Sequence, residues 1–264
     1  MDLKDKNKQE WCEALWEAVN GAMPIGPATS NLGELSVAEA YEVQAMVIEK
    51  RIQKGERIVG WKVGATSRVL LEMLRGITDE PVFGCMTTNS VYTNGSEIAA
   101  SKFCSPLFEG EIAFIMGKPL KGPGITSADV AMATFGVAAG VELVDSRLKA
   151  GDGDFNNFIA DNSGHAGFVL GSTVRPISDL DLRVEGVMLR KNGRLLGSAC
   201  GCEALGNPIN VVAWLANKLA QFDREIGAGE IITTGTLGQP IPIEAGDVID
   251  VSYTNLGSIQ FYVT

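Results

Sequence analysis

The sequence contains one histidine, His165, which excludes a metal site built from several imidazoles and leaves any Ser-His-Asp arrangement dependent on that residue. Its five cysteines, Cys12, Cys85, Cys104, Cys200 and Cys202, are odd in number and show neither CxxC nor Cys/His zinc spacing, so they read as reduced thiols. Basic residues are in short supply: 22 Lys and Arg face 32 Asp and Glu, for a formal net charge of -10. With no Lys/Arg cluster and no interleaved aromatic stripe, that balance argues against nucleic acid as a partner. It also means that an anionic ligand needs a local positive centre. No apolar run is long enough to span a bilayer, and the opening Met1-Asp2-Leu3-Lys4-Asp5-Lys6-Asn7-Lys8 is too polar for a secretory signal. The expectation is a cytoplasmic globular protein with no membrane attachment. Internal repeats and a glycine-rich nucleotide loop are also missing.

What is present is enough apolar residue, 45% of 264, to bury a large core. Trp11, Leu15, Ala18 and Val19 recur at helical spacing, and Gly21, Pro24 and Pro27 end that helix before a loop rich in Gly, Pro, Ser and Asn. Ser36-Val37-Ala38-Glu39 has the form of a capping box, opening a second helix that runs to about Lys54 with Gly55 as its stop. From Ile58 onward, short apolar runs separated by Gly, Asn, Asp and Pro signal strands. The expected organisation is therefore α+β, with an N-terminal helical arm over residues 1–57 and a β-rich body over 58–264. Within that body Ala65-Thr66-Ser67 leads into a short apolar helix, Lys149 to Asn157 reads as a polar loop, and Pro208 starts a helix. Gly246–Val251 and Ile259–Val263 are expected to close the sheet.

Phe108-Glu109-Gly110-Glu111-Ile112-Ala113-Phe114-Ile115-Met116 reads as a strand, and period-two alternation sends Glu109 and Glu111 to the same face. Two carboxylates so placed repel each other. Protonation, a basic partner or a hard divalent cation such as Mg2+ or Mn2+ relieves this, and a solvated strand edge is the alternative. A later buried run, Val137–Val144, has Glu142 inside it, a third possible ligand. Lys62 lies within the apolar strand Ile58–Gly64 and needs an anionic partner, as a structural ion pair or as the positive centre that the acidic composition demands. Asp161-Asn162-Ser163-Gly164-His165 has turn composition, and His165 reads either as a satisfied loop histidine or as a base.

Five segments, in order, carry a resemblance: Gly60-Trp61-Lys62-Val63-Gly64-Ala65-Thr66-Ser67, Glu109-Gly110-Glu111-Ile112-Ala113-Phe114, Val141-Glu142-Leu143-Val144-Asp145-Ser146-Arg147, Ala160-Asp161-Asn162-Ser163 and Thr234-Gly235-Thr236-Leu237-Gly238. Together they resemble the hydratase/decarboxylase branch of the fumarylacetoacetate hydrolase superfamily, from the second helix to the C-terminus. The resemblance implies a β-rich fold with a mixed, rolled sheet, homo-oligomers, and Mg2+ or Mn2+ held by Glu109, Glu111 and Glu142. It further implies Lys62 and Asp161 as catalytic residues and Ser67, Asn162 and Thr236 as substrate contacts. The implied activity is hydration of a 2-hydroxy-2,4-dienoate of the 2-oxopent-4-enoate type in the catabolism of aromatic compounds. The alternatives are decarboxylation of a vinylogous 2-oxo acid such as 4-oxalocrotonate, or a weakly active scaffold that associates with a pathway decarboxylase or hydratase. Three positions depart from the family pattern: Val82 where many hydratases have Asp, Leu107 where a basic residue is usual, and Asn207 in place of a His before Pro208.

Overall fold

The structure, a computed structural model, describes residues 3–25, 33–75, 77–149 and 154–264. Most of the Gly/Pro/Ser/Asn-rich loop after the first helix and the centre of the polar stretch after Lys149 lie outside those residues.

Two helices come first. In α1 (Leu3–Gly21), Trp11, Leu15 and Ala18 are buried as their spacing implies. Helix α2 (Val37–Gln53) starts at the capping box: Ser36 Oγ accepts from Glu39 N while the Glu39 carboxylate accepts from Ser36 N at 2.9 Å. Such a box satisfies two of the backbone donors that a helix start leaves free. Both helices join the main apolar core. Tyr41 of α2 stacks on Phe83 with ring centroids 4.4 Å apart, and the buried Gln44 Nε2 donates to the backbone oxygens of Phe83 (3.0 Å) and Ile159 (2.8 Å). Those two bonds tie the arm to the backbone of the body beneath it.

The body holds two mixed sheets. The larger contains β1 (Ile58–Gly64), β2 (Val82–Thr87), β3 (Val91–Thr93), β5 (Leu107–Met116), β6 (Thr134–Val144), β7 (His165–Arg175), β10 (Ile231–Thr233) and β11 (Leu237–Pro242). Its order is β2-β1-β10-β5-β6-β7-β3, with β11 also paired to β5. The smaller runs β4-β13-β12-β8-β9, using β4 (Glu97–Ile98), β8 (Gly186–Lys191), β9 (Arg194–Cys200), β12 (Val248–Tyr253) and β13 (Ser258–Val263). The last two strands, expected to close a single sheet, therefore build a second one. Their strict alternation of buried and exposed residues explains this, because they present one face to a core and the other to water.

Short helices connect the strands: α3 (Arg68–Met73), α4 (Ser127–Ala133), α5 (Phe155–Ala160) and α6 (Pro208–Leu219). The polar loop expected over Lys149–Asn157 thus gives way to helix at Phe155, where Asp154 caps the start by accepting from Asn157 N. In α6 the stripe Val211, Val212, Leu215 and Leu219 is buried and Pro208 occupies the first turn. Asn207 is the N-cap there, its Oδ1 accepting from Ile209 N, which accounts for an Asn before that proline.

Strand β5 organises the site. One edge pairs along its length with β6, and the other is divided: Ala113–Ile115 pair with β10, whereas Leu107–Gly110 pair with β11. The chain between those two partners, Thr234-Gly235-Thr236, crosses beside Glu111.

Candidate metal and substrate site

Register places Glu142 of β6 directly opposite Glu109 of β5, with Glu111 two residues along. Residues facing each other across an antiparallel pair share a face, so all three carboxylates gather there. One oxygen from each lies within 4.8 Å of the others, and all three residues are buried. Opposite Glu111 stands Gly140, where a Cβ would lie 2.3 Å from Phe168 Cζ, so the absence of a side chain lets that ring cover the strand.

Burial raises the Glu109 carboxyl to about 8, with the Glu142 charge adding to the effect and Lys62 opposing it. Burial, then Glu142 and Glu109, also push Glu111 well above the usual carboxylate range. Glu142 moves the other way: burial acts to raise it, but Lys62 and His165 outweigh that and hold it below its ordinary value. Without a cation the cluster therefore disfavours three negative charges together and places charge most readily on Glu142, beside Lys62 and His165. Glu111 Oε1 is buried with no hydrogen-bond partner, and Glu142 Oε2 has the Lys62 ammonium 3.3 Å away but no hydrogen bond. Buried acceptors are seldom left so, and hard oxygen donors in this number suit a divalent cation such as Mg2+ or Mn2+.

Surrounding groups fix Glu111 and Glu142. Glu111 Oε2 accepts from Gly235 N at 2.8 Å. Gly235 has φ +87, and a Cβ there would fall 2.0 Å from Thr66 Oγ1, so only glycine lets the loop pass this close. Thr234 Oγ1 donates to Ile112 O at 2.9 Å and anchors the same loop. Glu142 Oε1 meets His165 Nδ1 at 2.9 Å, and His165 Nε2 meets Ser90 Oγ at 3.1 Å. From the smaller sheet, the buried Tyr253 hydroxyl accepts from Glu111 N (3.0 Å) and donates to Gly140 O (2.5 Å), bridging β5 and β6 beside the carboxylates.

Lys62, 2% exposed, donates to Ser163 O at 2.8 Å and lies 3.3 Å from Glu142 Oε2. The carbonyl that holds it belongs to an unusual turn. Asn162, Ser163 and Gly164 all have positive φ, of 53, 50 and 74, a conformation in which the two non-glycine residues carry strain. Latches on either side maintain it. The Asp161 carboxylate accepts from Arg147 N (2.9 Å) and Nε (2.6 Å), while Arg147 Nη2 donates to Asp161 O and His165 O. Asn162 takes Cys85 N on its Oδ1 and gives its amide to Cys85 O, and Ser163 Oγ donates to Phe83 O.

The structure departs here from the expectation for Asp161 and Asn162. Their side-chain polar atoms are taken up by Arg147 and by Cys85 of β2, and neither residue lines the cavity at the carboxylates. Lys62, Glu109, Ser67 and Thr236 do line that cavity, of about 990 Å³. Ser67 caps α3 by accepting from Leu70 N at 3.1 Å, and Thr236 Oγ1 is buried without a partner. His165, Ser90 and Tyr253 also support the cluster. His165 was signalled by being the lone histidine; Ser90 and Tyr253 left no mark in the sequence, since their neighbours come from distant strands.

An α+β fold carrying this carboxylate cluster on its central strands belongs to a recognisable class. The model of the fumarylacetoacetate (FAA) hydrolase C-terminal family matches residues 66–264, and the chain belongs to that family. Among its relatives, a 2-hydroxyhexa-2,4-dienoate hydratase of Comamonas testosteroni is 37% identical over 253 residues, spanning 94% of this chain and 95% of that protein. A 4-oxalocrotonate decarboxylase of Pseudomonas sp. (strain CF600) is 34% identical over 236 residues, 89% of each. The solved structure of 4-oxalocrotonate decarboxylase from Pseudomonas putida G7, complexed with magnesium and adipate, matches with a TM-score of 0.94 and 32% identity, covering 100% of this chain and 99% of that one. Like these hydratases and decarboxylases, the chain is a lyase.

Proposed function

We propose that this chain catalyses hydration of a 2-hydroxy-2,4-dienoate to a 4-hydroxy-2-oxo acid, with Mg2+ or Mn2+ held by Glu109, Glu111 and Glu142, as a cytoplasmic step in the breakdown of aromatic compounds. The observation that carries this reading is the gathering of three buried carboxylates and Lys62 at one end of an open cavity. The cation supplies Lewis-acid stabilisation where negative charge develops on the C2 oxygen. Lys62 is assigned the proton transfers. The enol proton leaves oxygen and a proton arrives at C5, giving a 2-oxo-3-enoate; water then adds at C4 while C3 takes a proton. Thr236 Oγ1, buried and unpartnered, and the Ser67 hydroxyl, which uses only an acceptor site to cap α3, are assigned to orient the substrate carboxylate. Asp161 and Asn162 serve by holding the turn whose carbonyl fixes Lys62. The working form is a homo-oligomer, a reading supported by the exposed apolar side chains of Met132 and Phe135.

One observation favours the second reading, decarboxylation: Val82 is buried at the start of β2, near Gly64, and brings no carboxylate to that wall. Incubating the protein with 2-hydroxypenta-2,4-dienoate and with 4-oxalocrotonate, with and without Mg2+, separates the two. Metal-dependent formation of a 4-hydroxy-2-oxo acid supports hydration, CO2 release from the second compound supports decarboxylation, and neither outcome removes both.

A further inference from the structure

Away from the carboxylates, the cavity runs along α3, which buries none of its residues. An exposed helix ordinarily shows charged and polar side chains to water. This one instead carries Val69, Leu70 and Met73, exposed at 59%, 36% and 75%. All three line the cavity, joined by Phe158 and Pro240. At about 990 Å³ the space lies at the upper end of the roughly 300–1,000 Å³ that accommodates drug-sized ligands, far more than a five-carbon acid fills. An apolar wall continuous with a reaction site has an evident occupant, the part of the substrate that does not react.

Charge identifies the chemistry of that part. Lys62 is the one cation among the described residues lining the cavity, and it is engaged by Glu142 and Ser163 O. The carboxyl groups of the lining, Glu109 and Glu203, offer no positive charge to a second carboxylate. Arg68 of the same helix lines a separate recess with Cys202 and Leu205. The residues outside the described set include no lysine, arginine or histidine. A second carboxylate at the far end of the substrate would lose its hydration and gain no partner, whereas an alkyl group would cover apolar surface.

We propose that this wall is an apolar tail subsite, and that the substrate is a dienoate bearing a neutral alkyl or aryl group at C5 and no second carboxylate; the reacting end rests on the function proposed above. The test is calorimetric binding, in Mg2+, of inert saturated 2-oxo acids: 2-oxobutanoate, 2-oxohexanoate, 2-oxooctanoate and the dicarboxylate 2-oxoadipate. Affinity should rise about fourfold per added methylene, the factor equivalent to about 0.8 kcal/mol. 2-Oxoadipate should bind at least tenfold more weakly than 2-oxohexanoate. Met73→Arg, at an exposed position that tolerates the change, should lower affinity for 2-oxooctanoate and raise it for 2-oxoadipate. A flat alkyl series, or 2-oxoadipate binding as tightly as 2-oxohexanoate, overturns the subsite. So does a Met73→Arg protein whose light-scattering mass falls while the binding series stays unchanged, since α3 would then face a second copy of the chain. Hydration of 2-hydroxypenta-2,4-dienoate is measured in parallel. A chain-length gradient without hydration removes the reaction and leaves the subsite, and hydration without the gradient does the reverse.

Discussion

The two ends of the cavity are built on opposite principles. At the inner end, most groups are held by buried polar contacts: Glu142 by Lys62 and His165, Glu111 by Gly235 N, and Lys62 by a turn that is itself latched through Arg147 and Asn162. At the outer end, α3 is a single short helix held by its cap and by few buried contacts. The difference teaches where variation is affordable. Moving any inner group leaves a buried charge or polar atom unpaired, whereas an exchange on α3 changes only what lies against it.

Breaking the inner end should have the largest effects. Glu111→Gln removes one of three carboxylates from the proposed cation site, so Mn2+ affinity followed by electron paramagnetic resonance should fall on the order of a hundredfold, and hydration with it. Unchanged Mn2+ binding would mean that the ligand set is wrong. Lys62→Met should lower kcat by roughly a hundredfold to ten-thousandfold, the range for losing a positioned proton-transfer group, as measured by product formation at saturating metal. For Asn162→Ala, loss of both links to Cys85 should cost roughly 2–4 kcal/mol in urea unfolding; a smaller cost than about 1 kcal/mol would show that the turn holds itself.

The acid-base behaviour of the inner end sharpens the contrast further. Glu109 is raised by burial from an ordinary value of 4.5 to about 8, so the folded, metal-free protein holds a proton that the unfolded chain releases. The stability from this group is fully present below about 4.5 and is lost as pH rises through about 8. Thermal unfolding of chelator-treated protein should show that decline, and saturating Mg2+ should flatten it, because cation binding displaces the same proton. A slope indifferent to Mg2+ would separate Glu109 from the metal site. The smallest effect belongs to the outer end: Met73→Ala should change stability by less than about 0.5 kcal/mol, read from the same urea curves, because this side chain faces solvent.

Much of this was legible in the sequence because local signals report local structure. The alternation around Glu109 and Glu111, the capping box at Ser36 and Glu39, and Pro208 at a helix start each depend only on neighbours in the chain. Strand β11 was not legible: Gly238, Pro240 and Pro242 argue against a strand, and it exists because β5 offers a free edge. The six-residue α5 is too short for a helical period to emerge from its polar surroundings. Asp161 and Asn162 were correctly placed in a turn, but their partners, Arg147 and Cys85, come from other elements and could not be read from their own surroundings. In α3 the apolar pattern gave the helix and concealed its exposure, since periodicity says which residues share a face and not what covers it.

The divided edge of β5 bears on how the chain is made. Glu111 waits for Gly235, 124 residues later, and until that segment emerges from the ribosome one side of a largely apolar strand has no partner. An unpaired strand edge invites pairing with other chains, and charges set into it discourage this. By that rule, carboxylates at Glu109 and Glu111 count against such pairing while the strand is still alone. A chain truncated before Ile231 should aggregate faster when both are replaced by Leu than when both remain, as followed by light scattering.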